Sequence, residues 1–429
     1  MKTRKLHRKN KKSGSCCIAE RRIIEIFSLV ALISVSMILV VLLYSGPFVF
    51  YDDTVYIIYA HQMLEGSFNP LKGFPFSANF IMIGIEAVFI ALFGDNALAV
   101  EMPSLISLVI MIILTYLIGK KVYGSSLGFV SAAFITVSPI TVGYATRVLP
   151  DLMSGMFAAL LIYMIVATKS SEHHKLLSFL AGVLAPLLIA VKTESAFFVI
   201  AIILFIAIYE IHAKQKYRAE QNQYKINIKL ATIGFLIGLI ILFGYFFIYS
   251  GKISYWVLKY GASNMLFAHS TIAQNIHSLL VFLDPYTFFG GMRGYRLDCY
   301  VFPMGLLFDL MIIGSVIFIA FRKWDIMLFA IPCLVVILLL FFAPETLNSY
   351  TIATVIDRFL IIILPLMALV AGYTLIVVYN LLKKRKSLAL LFLVIVITYI
   401  FVANIPEYYS TYRYNLTSAF ALHAYQNII

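Results

Sequence analysis

Long apolar runs without Lys or Arg follow one another along almost the whole chain, separated by short polar clusters. A helix that crosses a hydrocarbon core about 30 Å thick needs about 20 mostly apolar residues. By that measure the runs at 23–45, 99–119, 125–140, 152–168, 176–191, 195–209, 230–250, 301–321, 325–342, 358–380 and 388–404 predict membrane spans. Residues 79–93 (NFIMIGIEAVFIALF) are apolar but short, and they carry Glu86. They fit either a span or a helix lying along the membrane surface.

Parity of charge decides between those two. Basic residues concentrate in cytoplasmic loops, and residues 1–22 hold nine Lys and Arg. With that tail inside and 79–93 not crossing, the basic loops around Lys120, Lys169, Lys214, Arg322 and the Lys383-Lys384-Arg385-Lys386 run all fall inside. Nine of the 33 basic residues stay outside: Lys72, Arg147, Lys192, Lys252, Lys259, Arg293, Arg296, Arg358 and Arg413. A crossing at 79–93 would move every later basic loop outside. The expected architecture is an all-α polytopic bundle of about eleven spans, with the N-terminus cytoplasmic and the C-terminus outside. Its parts are a basic cytoplasmic tail (1–22), a multi-span domain (23–404) and an outer tail (405–429). Two long outer loops, 46–98 and 251–300, belong to the multi-span domain, and the first contains the surface helix.

Composition agrees. Of 429 residues, 62% are hydrophobic and 12% charged, where a soluble domain has roughly 45–50% and about 25%. That excludes a soluble enzyme, a disordered chain and a disulfide scaffold, and implies an integral membrane protein of the plasma membrane, or of the endoplasmic reticulum in a eukaryote. The net charge of +13 follows from the inside loops facing lipid headgroups, so no nucleic-acid partner is required. The first apolar run is long enough to remain as a helix, so no cleavable signal peptide is expected. Cys16, Cys17, Cys299 and Cys333 have no zinc-binding or disulfide spacing and read as structural.

Chemistry is expected in the long outer loops, because the helices already satisfy the architecture. The first loop opens with Asp52 and Asp53 where the chain leaves span one. Adjacent carboxylates there are costly to desolvate and repel each other, so they call for a cation, a hydroxyl donor or water. Alone, the pair reads as a helix cap. Three further charged sites fall at outer helix ends: Arg147 with Asp151, Lys192 with Glu194, and Asp357 with Arg358. Singly, each reads as snorkelling and local ion pairing; four at one face point to a charged pocket. A carboxylate can act as general base toward an acceptor hydroxyl, and Arg and Lys at membrane depth suit a phosphate whose lipid tail lies between helices. A divalent cation at Asp52 and Asp53 is compatible with this chemistry and not required by it.

The residues resemble the C-type (GT-C) polytopic glycosyltransferases, and within them the branch similar to the dolichyl-phosphate-mannose protein mannosyltransferases and the aminoarabinose transferase. The resemblance begins at Asp52-Asp53-Thr54-Val55-Tyr56 and continues through Ala60 and Leu64-Glu65-Gly66. It recurs at Leu92-Phe93-Gly94, Met102-Pro103-Ser104 and Val122-Tyr123-Gly124, then at Ser138-Pro139, Tyr144 to Asp151, Lys192-Thr193-Glu194, and Arg358-Phe359-Leu360 ahead of Leu364-Pro365. It is dense over 50–200 and thin afterwards. It implies a polyprenyl- or dolichyl-phosphate sugar donor, a protein, lipid or glycan acceptor, and inverting hexosyl or pentosyl transfer at the outer face. Asp52 would be the catalytic base and Asp53 its acidic neighbour, where the family commonly has Glu. Arg147 and Asp151 would line the second outer loop, with Lys192, Glu194 and Arg358 facing the donor phosphate or supporting the acidic pair. Two departures stand out: Glu101 where relatives often carry Arg, and Phe74-Pro75-Phe76 in place of a His/Lys-Pro-Pro element.

The remaining candidates read blandly. His173, His174 and Lys175 read as a solvated turn, and His269 and His277 flank a helical stretch of the second long loop, where surface exposure is the expectation and acceptor contact the alternative. The aromatics of 245–260 form an interfacial belt, and Gly290, Gly291 and Gly294 are in the wrong context for a phosphate loop. Asn415-Leu416-Thr417 fits a glycosylation sequon. A transporter or flippase of a lipid-linked saccharide is the alternative. It would show two similar halves or broken helices at the midplane, and no repeat is evident.

Overall fold

The computed structural model of the chain describes residues 2–43, 51–70, 76–216, 224–250, 269–270, 305–320, 324–342, 352–353, 357–392 and 394. The helices follow one another along the chain. They are α1 (Lys2–Leu43), α2 (Tyr51–Leu64), α3 (Phe80–Phe93), α4 (Ala97–Tyr123), α5 (Ser125–Thr136), α6 (Pro139–Tyr144), α7 (Pro150–Ala167) and α8 (His174–Val191). There follow α9 (Ser195–Lys216), α10 (Ile228–Ser250), α11 (Gly305–Ala320), α12 (Trp324–Phe342) and α13 (Leu364–Leu382), the last entered through a 3-10 helix, Asp357–Ile363. Two residues of the second long loop, His269 and Ser270, pair antiparallel with Ala353 and Ile352. The rest of that loop, with His277, the three glycines and Cys299, lies outside the described residues, as do Asn415 and the outer tail.

The fold is an all-α polytopic membrane bundle. Among the described residues six helices are long and apolar enough to cross a membrane: Arg22–Leu42, Ala97–Tyr123, Pro150–Ala167, His174–Val191, Ile228–Tyr245 and Leu360–Leu382. Their outward faces carry large apolar side chains such as Phe27, Ile110, Leu176 and Ile240, as suits a surface bathed in lipid. Inside, α7 is the hub, packed against α4, α8 and the 3-10 helix.

Local sequence explains most boundaries. Asn96 caps α4 by accepting the Ala99 amide at 3.0 Å. Gly124, at φ 102°, ends it in a conformation only glycine adopts freely. The run expected at 125–140 is not one helix. It stops at Thr136, and Ser138 turns extended (φ −74°, ψ 123°) ahead of Pro139, which restarts the chain as α6; a residue before proline is pushed out of the helical region. Residues 79–93 do form a helix, α3, only 14 residues long. At 1.5 Å per residue it reaches about 21 Å, short of the hydrocarbon thickness.

Helix α8 is fixed by its crossing with α10. A Cβ on Gly182 would run into the Ala231 carbonyl, and one on Gly234 into the Phe179 carbonyl. Small residues let the two backbones close without side chains between them, and so determine where Lys192, at the end of α8, comes to rest. At the opposite end of the bundle Lys120 donates to Glu25 at 2.5 Å, and the Ser125 hydroxyl donates to the same carboxylate.

Candidate active site

The site lies where α2 begins, α7 begins and α8 ends. On α2 one face carries Asp53, Tyr56 and Ala60, all buried, at the three- and four-residue spacing of a helix. Asp52 and Asp53 both occupy the first turn, where the helix dipole favours negative charge. They part company there: Asp53 is 0% exposed, while Asp52 is half-buried at the rim.

Asp53 is clasped by the segment joining α6 to α7. The Arg147 guanidinium donates through Nη2 to Oδ2 at 2.7 Å and through Nε to the two carboxylate oxygens at 3.1 and 3.2 Å. The Val148 amide donates to Oδ1 at 2.7 Å. Arg147 is itself held, with Ser104 of α4 donating to its carbonyl at 2.5 Å and the Tyr144 ring 5.9 Å from its guanidinium carbon. Four residues on, Asp151 stands in the first turn of α7 behind Pro150. It accepts from Lys192 Nζ at 2.5 Å, with side chains only 2% and 6% exposed.

The contacts then return to α2. The Thr193 amide donates to Asn79 Oδ1 at 3.3 Å, and Asn79 Nδ2 donates to the Tyr56 hydroxyl at 2.6 Å, one helical turn beyond Asp53. Asp53, Arg147, Asp151, Lys192, Thr193, Asn79 and Tyr56 therefore form a closed ring of polar contacts and short chain segments. Beneath it lies an apolar floor that includes Met82, Ile83, Leu149, Met153 and Val191. Glu194 sits half-buried beside the ring and accepts from the Thr193 hydroxyl at 3.2 Å. The 3-10 helix that begins with Asp357 and Arg358 packs against α7; the Arg358 side chain lies outside the described residues.

Of the residues expected from sequence, Asp52, Asp53, Arg147, Asp151, Lys192 and Glu194 thus meet at one end of the bundle. Their partners differ from the local pairs expected: Arg147 turns to Asp53 and Lys192 to Asp151, across helices. Asn79 and Ser104 had no role assigned from sequence, and each is a short polar residue inside or beside an apolar run. Glu86 of α3 is a further case. It is 0% exposed, and neither carboxylate oxygen has a hydrogen-bond partner among the described residues. Burial, and secondarily the charge of Asp53, push its carboxyl up to about 9. Tyr245, assigned to an aromatic belt, stacks on Phe80 of α3 with ring centroids 3.8 Å apart. His173 and Lys175 are exposed at the start of α8. Among the described residues no group of three or more His, Cys, Asp and Glu is placed to hold a metal ion.

Residues 80–243 match the family model described as dolichyl-phosphate-mannose-protein mannosyltransferase. That window holds Arg147, Asp151, Lys192 and Glu194 and stops short of Asp52 and Asp53. No curated protein gives a significant match. Among solved structures the chain is similar to ArnT from Cupriavidus metallidurans in the apo state, at 10% identity and a TM-score of 0.58, covering 81% of this chain and 59% of that one. The figures are the same for ArnT bound to undecaprenyl phosphate. It is also similar to the Archaeoglobus fulgidus oligosaccharyltransferase tethered to an acceptor peptide, at 13% identity and a TM-score of 0.53, covering 91% of this chain and 55% of that one. The chain therefore has the C-type glycosyltransferase fold, as its sequence motifs imply. The chain spans less than two thirds of the length of each of these structures.

Proposed function

We propose that this protein is a membrane glycosyltransferase that moves a sugar from a polyprenyl-phosphate donor to an acceptor hydroxyl at the extracytoplasmic face, with inversion. The observation that carries it is the closed ring: the Asp53–Arg147 pair, with Asp53 fully buried, and the buried Asp151–Lys192 pair, joined above an apolar floor. A lipid phosphate needs cationic groups at membrane depth and an apolar channel for its tail. One solved protein of this fold binds undecaprenyl phosphate, and another was captured with an acceptor peptide. Both fit such a donor and acceptor. Charges at helix ends favour this reading over a transporter, whose charges gather at the midplane.

We assign Asp52 as the base, at the half-buried rim of the first turn of α2, and Asp53 as the carboxylate that holds Arg147 and the Val148 amide. The acceptor hydroxyl gives its proton to Asp52, its oxygen bonds to the anomeric carbon, and the bond from that carbon to the phosphate oxygen breaks. The polyprenyl phosphate leaves with the electron pair. Asp53 holds Arg147, and Arg147 with Lys192 stabilises the charge gathering on the leaving phosphate. A divalent cation at Asp52 and Asp53 is a compatible addition, and no step requires it.

The test is incubation of the purified full-length protein with a panel of polyprenyl-phosphate sugars, following release of the lipid phosphate. Asp52→Asn is expected to lower turnover by about 10²–10⁴-fold with normal expression, and near-normal turnover would remove the base assignment. Cysteines introduced at positions 95 and 385 are expected to be labelled from opposite sides of the membrane; labelling from one side would overturn the outer placement.

A further inference from the structure

The ring joins α2 to the turn after α8 by two routes. One is charged: from Asp53 to Arg147, along the chain to Asp151, and across to Lys192. The other is neutral: from Tyr56 to Asn79 to Thr193. On the transferase reading, Arg147 and Lys192 turn to the donor phosphate when it arrives, so the charged route shares its cations with the substrate at the moment of transfer. The neutral route has no charge to give up and stays closed. Its ends are well chosen for holding the chemistry in place: Tyr56 stands one helical turn beyond Asp52, and Thr193 follows Lys192 directly.

Asn79 makes the middle of that route. It is the N-cap of α3, a place where asparagine ordinarily accepts from an amide of the first turn, yet its side chain makes no cap hydrogen bond. The side chain reaches instead between two other elements. The Thr193 amide can only donate, so the Asn79 atom it meets is the oxygen, and Nδ2 is left to donate to the Tyr56 hydroxyl oxygen. One planar amide thus offers an acceptor on one side and a donor on the other. Leucine, of similar size, would deprive both the buried phenol and the buried amide of this partner, which an apolar side chain cannot replace. The segment that delivers Asn79 is itself anchored. Ser77 donates to the Pro70 carbonyl at 2.7 Å, the Phe76 ring meets that of Tyr56 edge-on with centroids 5.7 Å apart, and Ala78 packs with Ala190 of α8 and Leu242 of α10. We propose that Asn79 is a positioning residue: its amide straps Tyr56 of α2 to Thr193, and so keeps Asp52 in register with Lys192 while the charged route engages the donor. Its effect on turnover rests on the transferase reading above; the strap itself does not.

The experiment compares the full-length wild type with Asn79→Leu, Tyr56→Phe and the double variant, following release of polyprenyl phosphate at temperatures where each is folded. In Asn79→Leu kcat is expected to fall about tenfold or more, because the base loses its register, while KM for the donor changes by less than about twofold. An unchanged kcat beside a lowered unfolding midpoint would reduce Asn79 to packing, and a rise in KM that matches or exceeds the fall in kcat would move its role to donor binding; either overturns the proposal. Tyr56→Phe keeps the Thr193 contact and is expected to show the same split with a smaller fall in kcat; it carries the test alone if Asn79→Leu does not fold. The double variant is expected within about twofold of Asn79→Leu, and falls that multiply would overturn the link between the two residues. If no form turns over any donor, the transferase reading fails separately. Nitroxide labels at exposed positions 58 on α2 and 200 on α9, in a background without the native cysteines, then decide the strap: the distance distribution between them is expected to broaden in Asn79→Leu, and an unchanged distribution would overturn it.

Discussion

Lys192 Nζ lies 2.5 Å from Asp151 Oδ1, and neither side chain reaches solvent to any extent. They belong to different helices, the last residue beyond α8 and the first turn of α7, so this pair locks two helix ends together at the site. Removing one partner of a buried ion pair leaves the other without compensation, which costs about 3–5 kcal/mol. Lys192→Met is therefore expected to lower the unfolding midpoint in detergent markedly. Lys192→Met combined with Asp151→Asn is expected to recover part of the loss. A double variant no more stable than the single one would show that the pair is not what joins α7 to α8.

Arg147 grips Asp53 with the edge of a planar guanidinium, through Nε and Nη2 together. A lysine supplies the charge but not the fork. Arg147→Lys is expected to keep the fold, with a stability loss of about 1–2 kcal/mol, while turnover falls by about tenfold or more because the pair no longer fixes the charge in place. Thermal melts beside donor turnover separate the two effects. Equal turnover in Arg147→Lys and wild type would reduce Arg147 to a simple counter-charge.

The approach of α8 to α10 leaves no room for a side chain at Gly182, whose added Cβ would meet the Ala231 carbonyl. Gly244, further along α10, faces open space. Gly182→Ala is expected to destabilise by about 1–3 kcal/mol, whereas Gly244→Ala is expected to be neutral or slightly stabilising, alanine being the better helix former by about 1 kcal/mol. Thermal unfolding of the two variants checks this, and the reverse order would overturn the close helix crossing.

Much of this site was legible because charge is scarce in the chain. Asp52, Asp53, Arg147, Asp151, Lys192 and Glu194 each stand at the edge of an apolar run, and such positions are costly to hold without a purpose. Who pairs with whom was not legible. Arg147 and Asp151 are four apart in sequence, which suggests a local pair, but Pro150 starts a new helix between them and turns Asp151 toward α8. Asn79 and Ser104 carry no charge to advertise them, and their roles appear only when α3 and α4 are brought beside their partners. The helix at 79–93 was legible as an apolar run, with its shortness leaving two readings that charge parity had to separate, and the break at Ser138 could have been inferred from Pro139.

The polar ring is stitched from residues far apart in the chain: 94 positions separate Asp53 from Arg147, and 114 separate Asn79 from Thr193. During synthesis, a nascent chain that has not yet reached residue 192 holds Asp151 without its lysine, and one that has not reached 147 holds Asp53 without its arginine. Those carboxylates must wait, wetted or protonated, near the membrane rim until the later helices arrive. The site is thus a product of late assembly, and truncation anywhere before α8 is complete would leave behind a partial bundle with bare acids and no working centre.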